Sequence, residues 1–124
     1  MITAISTADA QGAVDPYSTK LGNLLLVTGQ LPIDPATGEF SSADVVEQAR
    51  QCLENLAAIA EAAGTDLSKT VKITMLLTDL GDLVEVSRVY TSFFAAPLPA
   101  SACYEVKALP KGVNVKIDAV IAVG

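Results

Sequence analysis

The sequence contains no histidine and no tryptophan, two cysteines, and eight basic residues against fourteen acidic ones. The missing histidine excludes Ser-His-Asp and Cys-His activation of a nucleophile and removes the commonest zinc ligand. Catalysis is left to carboxylates, lysines, tyrosines, hydroxyls, Cys103 and backbone dipoles. A net charge of −6 leaves no basic face for a phosphate backbone, so nucleic acid is not an expected partner. The two cysteines lack CxxC spacing and read as free thiols in a reducing compartment. No apolar run approaches membrane-spanning length, "AVIAV" near the end being typical, and "MITAISTADAQG" has neither the basic start nor the apolar core of a signal peptide. The expectation is a soluble, cytoplasmic protein with no membrane partner.

Hydrophobic residues nonetheless make up 51% of the 124 residues, and charged ones only 18%. That length suits a single domain, residues 1–124, around one core. So much apolar surface on so small a body predicts burial between subunits.

No internal repeat or linker interrupts the chain. "LLLVT" (24–28), between Gly22-Asn23 and Gly29, reads as a buried strand, and "LPIDPATGEF" as a turn-rich connection. From Asp44 to Ala63 apolar residues recur at helical spacing, with Asp44-x-x-Glu47 as a capping-box start and Gly64 as a stop. "TVKITMLLT" alternates Val71, Ile73, Met75 and Leu77 on one strand face. Asp82 and Glu85 open a second helix whose stripe is Leu83, Val86, Tyr90 and Phe93 or Phe94, ending at Pro97. "SACYEVKAL" and "VNVKIDAVIAV" are expected to form an antiparallel hairpin through "PKG". The fold class is α+β, a sandwich with both helices on one face of a mixed sheet. The far side of the last strand is polar at one end and apolar at the other, as an oligomer interface with a site at its edge would be.

Strand periodicity places Ser101, Cys103, Glu105 and Lys107 on one face. With the hairpin formed, Lys116 and Asp118 would adjoin them, either as a small polar cleft or as an exposed charge ladder with Cys103 a small buried hydrophobe. Cys52 falls on the apolar side of the first helix and is assigned to the core. At Thr28-Gly29-Gln30 the glycine lets backbone N–H groups approach a carboxylate or carbonyl, with the Thr28 hydroxyl beside them, although a bare turn glycine explains the pattern equally. Gly12, Gly22 and Gly38 have no phosphate-loop spacing.

Three stretches, "DPYSTKLGNLLLVTGQLPIDPATGE", "ARQCLENLAAIAEAAGTDLSKTVKITMLLTDLGDLVEV" and "LPASACYEVKALPKGVNVKIDAVIAV", resemble the RidA/YjgF family, also labelled L-PSP endoribonucleases. The resemblance implies a chorismate-mutase-like fold and a homotrimer with a small-molecule site at each subunit cleft. It also implies hydrolysis of reactive 2-imino or 2-enamino acids to 2-keto acids and ammonia, with no cofactor. Tyr17, Thr28 (usually serine), Gly29 and Cys103 keep the family pattern. Ser101 stands where the family carries a carboxylate-binding arginine, Asp118 where it carries a water-activating glutamate, Ser87 where it carries asparagine, and Asp15 where it carries glycine. Exchanging a charged bidentate fork for one neutral hydroxyl removes roughly 2–4 kcal/mol of substrate binding or positioning.

Two functions follow from the resemblance. In one, a deaminase uses Asp118 on water and Thr28 and the Gly29 amide on substrate, with Lys107 or Lys116 as the missing cation. In the other, a trimeric binding module takes a ligand without a carboxylate. The ribonuclease label, a third reading, finds neither basic surface nor histidine to support it.

Overall fold

A computed structural model describes residues 2–5, 18–40 and 43–123. Along the chain lie β1 (Ile2–Ile5), β2 (Ser18–Leu21), β3 (Leu24–Gln30), α1 (Val45–Ala62), β4 (Thr70–Leu77), α2 (Leu83–Phe93), β5 (Ala100–Glu105) and β6 (Val115–Ala122). The strands form one mixed sheet in the order β1-β2-β3-β6-β4-β5. Its buried positions alternate along β3, β4 and β6, and both helices contribute to the core on that same side. Among the described residues, no helix lies over the opposite, outer face.

Helix α1 begins and ends as its sequence dictates. The Asp44 carboxylate accepts from Val46 N–H at 2.9 Å, satisfying a donor that has no partner within the helix. At the far end Gly64 adopts φ +82°, while its N–H donates to Glu61 and that of Thr65 to Ala60. This glycine-terminated motif satisfies the last carbonyls. Between them Ala49, Cys52, Leu53, Leu56, Ile59 and Ala60 are wholly buried. Helix α2 starts differently from the expectation. The Asp82 side chain makes no capping bond; Asp79 instead accepts from Gly81 N–H at 2.8 Å in a 3-10 turn that runs into the helix.

Two further expectations need correction. Strands β5 and β6 are not a hairpin, because β4 lies between them, parallel to β5 and antiparallel to β6. A strand, a helix and a strand in succession favour a parallel pair, and β4-α2-β5 is such a unit. The "PKG" segment is a 3-10 turn within the connection over the end of β4, where Val106 N–H donates to Leu77 and Thr78 N–H to Asn114. Val71 is not on the buried face of β4. A register shift between Thr70 and Lys72 turns it outward, leaving it half exposed.

The polar positions of α1 fix the strand ends around the site. Asn55 donates to the carbonyls of Leu31 and Ile33 at 3.2 and 3.0 Å, and Cys52 to that of Gln30 at 3.1 Å. Gln48 Oε1 accepts from Asn114 N–H at 2.8 Å. These bonds hold the exit of β3 and the entry of β6 against one helix.

Candidate functional site

Register across the sheet decides which side chains share a face. Ile73, Met75 and Leu77 of β4 stand opposite Ser101, Cys103 and Glu105 of β5 and opposite Ala119, Ile117 and Val115 of β6. All of these point to the helical side. Thr74 stands between Ala102 and Asp118, and Leu76 between Tyr104 and Lys116, on the outer face. The expected cleft of Ser101, Cys103, Lys116 and Asp118 therefore does not form within one chain. The sheet separates its two halves.

Asp118 is the centre of the outer group. Partial burial raises its carboxyl pKa, opposed by a hydrogen bond from Thr74 and by the charges of Lys72 and Lys116. Opposite it the β3–β6 ladder slips: Val27 pairs with Ala119, but Gln30 pairs with Ile117. Thr28 and Gly29 thus share a β-bulge facing the single residue Asp118, a device common beside active sites. The Thr28 carbonyl accepts from Gln30 Nε2 at 3.1 Å, and Thr28 itself is exposed. Gly29 leaves room for its neighbour. A Cβ there would collide with Lys116 Cε and lie 2.9 Å from its Cγ.

The second group lies on the helical side of β5. Tyr90 of α2, buried beneath the edge, donates to the Pro99 carbonyl at 3.4 Å. Burial raises the Tyr90 pKa, and a hydrogen bond from Ser101 moderates the rise, so the Ser101 hydroxyl already has a partner inside the chain. Cys103 is half-buried against the core, and desolvation pushes its thiol pKa up. Glu105 accepts from Leu80 N–H at 3.0 Å and belongs to no charge ladder with β6. Lys107 is exposed beyond the end of β5, and Ser87 is half-buried on α2. Tyr17 and Asp15 lie outside the described residues. Cys52 is fully buried and its thiol pKa strongly raised by desolvation, consistent with a core role.

Sequence reasoning passed over Thr74, Lys72 and the buried pair Gln48 and Asn55. Thr74 and Lys72 lie on the polar side of an alternating strand, a position that by itself marks no site. Their link to Asp118 depended on knowing that β4, and not β5, adjoins β6.

Leu24, Leu26 and Tyr104 also stand on the outer face, 40%, 46% and 57% exposed. The polar group around Asp118 is thus bordered by uncovered apolar surface. Among the described residues no helix is long and apolar enough to cross a membrane.

Comparison with known proteins extends over the full fold. The profile of the family described as Endoribonuclease L-PSP matches residues 7–123. The RutC family protein y4sK of Sinorhizobium fredii is 71% identical, with 98% of each chain covered. The human 2-iminobutanoate/2-iminopropanoate deaminase is 42% identical across 97% of this chain and 89% of its own. Among solved structures, RidA from an Antarctic Psychrobacter superposes with a TM-score of 0.93 at 38% identity, covering 98% of this chain and 99% of that one. A match of this extent, in sequence and in fold, places the chain in the RidA/YjgF family.

Proposed function

We propose that the protein is a cofactor-independent deaminase that hydrolyses 2-imino acids, or their enamine tautomers, to 2-keto acids and ammonia. The observation that carries this reading is Asp118: a half-buried carboxylate, bonded by Thr74, facing a glycine-containing bulge on an open sheet face. The 42% identity to a deaminase of that specificity supports the substrate class.

The chemistry asks little of the protein, because a protonated imine is already electrophilic at C2. Asp118 takes a proton from water as the water oxygen bonds to C2, giving a neutral carbinolamine. The same carboxyl returns that proton to the amine nitrogen. The C–N bond breaks, the carbinol oxygen becomes the keto oxygen, and its proton leaves with ammonia. Holding water and imine together supplies much of the acceleration.

The assembly proposed is a homotrimer with the small molecule bound at subunit clefts. Ser101 and Cys103 sit on one side of an edge strand and Asp118 on the other side of the sheet, so a second copy is needed to bring the two groups to one ligand. The exposed Leu24, Leu26 and Tyr104 supply apolar surface for such contact. Tyr17 and Ser87 are proposed to line the cleft, Thr28 and Gly29 to contact the ligand, and the setting is the cytoplasm.

A second reading, a binding module for a ligand without a carboxylate, is favoured by one observation: Ser101, on the helical side of β5, is neutral and offers a carboxylate no charge. Freshly generated 2-iminobutanoate separates the two. Keto-acid release well above the buffer rate is expected; a rate equal to buffer, from protein of intact fold and assembly, rejects the deaminase.

A further inference from the structure

Among the described residues of β3 to β6, the charged side chains on the outer face are Lys72, Lys116 and Asp118. Two cations and one anion leave a local excess of one positive charge, in a chain whose net charge is −6. The two lysines are not equivalent. Lys72 is exposed at a register position opposite Val120, two residues beyond the Thr74–Asp118 pair. Lys116 is half-buried, and its methylene stem lies across Gly29 in the space a Cβ would fill. The glycine of the bulge thus lets the stem lie along the outer face. Ser101 offers no comparable group, being neutral, on the other side of the sheet and bonded to Tyr90. Lys107 lies past the end of β5, outside the sheet register that carries Asp118.

We propose that Lys116, steered over Gly29 and assisted by Lys72, is the anchor for the ligand's carboxylate, so that the site takes monocarboxylates on the outer sheet face beside Asp118. The inference rests on the imine-deaminase reading and names the group that would hold its substrate. One carboxylate balances the excess charge, and the ammonium at the end of a stem that crosses Gly29 meets it with hydrogen-bond donors as well as charge. A doubly charged acid would exceed that balance.

The test compares 2-ketobutyrate with its neutral amide, 2-oxobutanamide, as calorimetric titrants of the intact protein and of Lys116→Gln. The wild type is expected to favour the acid at least tenfold. Lys116→Gln should lose that preference while still binding the amide, which also shows that the site is folded. An unchanged preference in Lys116→Gln, with wild-type turnover of 2-iminobutanoate intact, overturns the anchor and leaves the deaminase standing. A wild type that neither favours the acid nor releases keto acid overturns both.

Discussion

Thr74 and Asp118 face each other across the β4–β6 ladder, and the threonine hydroxyl donates to a carboxylate that partial burial nevertheless drives toward its protonated form. Because the folded pKa is raised, the native state binds this proton more tightly than the unfolded chain. The stability gained from it is complete below about pH 4, the ordinary Asp value, and is lost as pH rises through the folded pKa. Asp118→Asn should therefore raise Tm at pH 7 and give no gain below that value. In activity the sign is opposite: as general base Asp118 must be ionised, so kcat/KM should fall on the acid side at a pH higher than an unperturbed aspartate would give. The Asn variant should lose about a hundredfold or more in kcat. A pH series of melts and rates on both proteins checks both signs.

Gly29→Ala should displace Lys116 without unfolding the protein. The added methyl meets the flexible stem of a lysine and no rigid backbone, so the cost in stability should stay near 1 kcal/mol or less. Binding of 2-ketobutyrate should nonetheless weaken about tenfold, the equivalent of roughly 1.4 kcal/mol. A large drop in Tm with unchanged affinity would mean that the glycine serves the bulge and not the lysine.

The two cysteines should differ in reactivity, and neither should behave as an activated nucleophile. Desolvation raises both thiol pKa values, with Cys52 fully buried and Cys103 half-buried. Thiolate is the reacting form, so alkylation of native protein at pH 7 should be slow, should mark Cys103 first, and should quicken with rising pH. Mass mapping after timed iodoacetamide treatment reads the order directly. Rapid labelling of Cys103 at pH 7 would contradict a desolvated thiol and reopen a covalent role.

Much of the fold was legible because it follows from local rules. The apolar face of α1, its Asp44 and Gly64 ends, and the buried alternation of Val115, Ile117, Ala119 and Ile121 follow the helical and strand periods of the sequence. The site was less legible, because its parts meet through non-local choices. Placing Ser101 and Cys103 beside Asp118 assumed that strands adjacent in sequence are adjacent in the sheet. The β4-α2-β5 crossover inserts β4 between them, and period-two reasoning then assigns opposite faces. The bulge at Thr28-Gly29 could not be read from composition, since one extra residue in a ladder shows only when its partner strand is known. Gln48 and Asn55 were hidden among the apolar positions of α1. Their burial follows from strand ends whose backbone groups need partners, a demand that arises only in the assembled fold.

Position 101 and Lys116 give the sharpest remaining test, because a cation at either place would meet the same ligand carboxylate. Ser101→Arg gives up the interaction with the Tyr90 hydroxyl and gains a bidentate cation at the edge of β5. If Lys116 already holds the carboxylate, the new arginine is largely redundant, and kcat/KM for 2-iminobutanoate should rise less than tenfold. In a Lys116→Gln background the same substitution should rescue the reaction by more than tenfold. The two effects are expected to differ because residues serving one ligand group are not additive, and the four-protein cycle measures that coupling. Equal gains in the two backgrounds would show that position 101 and Lys116 act independently, and that the carboxylate has another anchor.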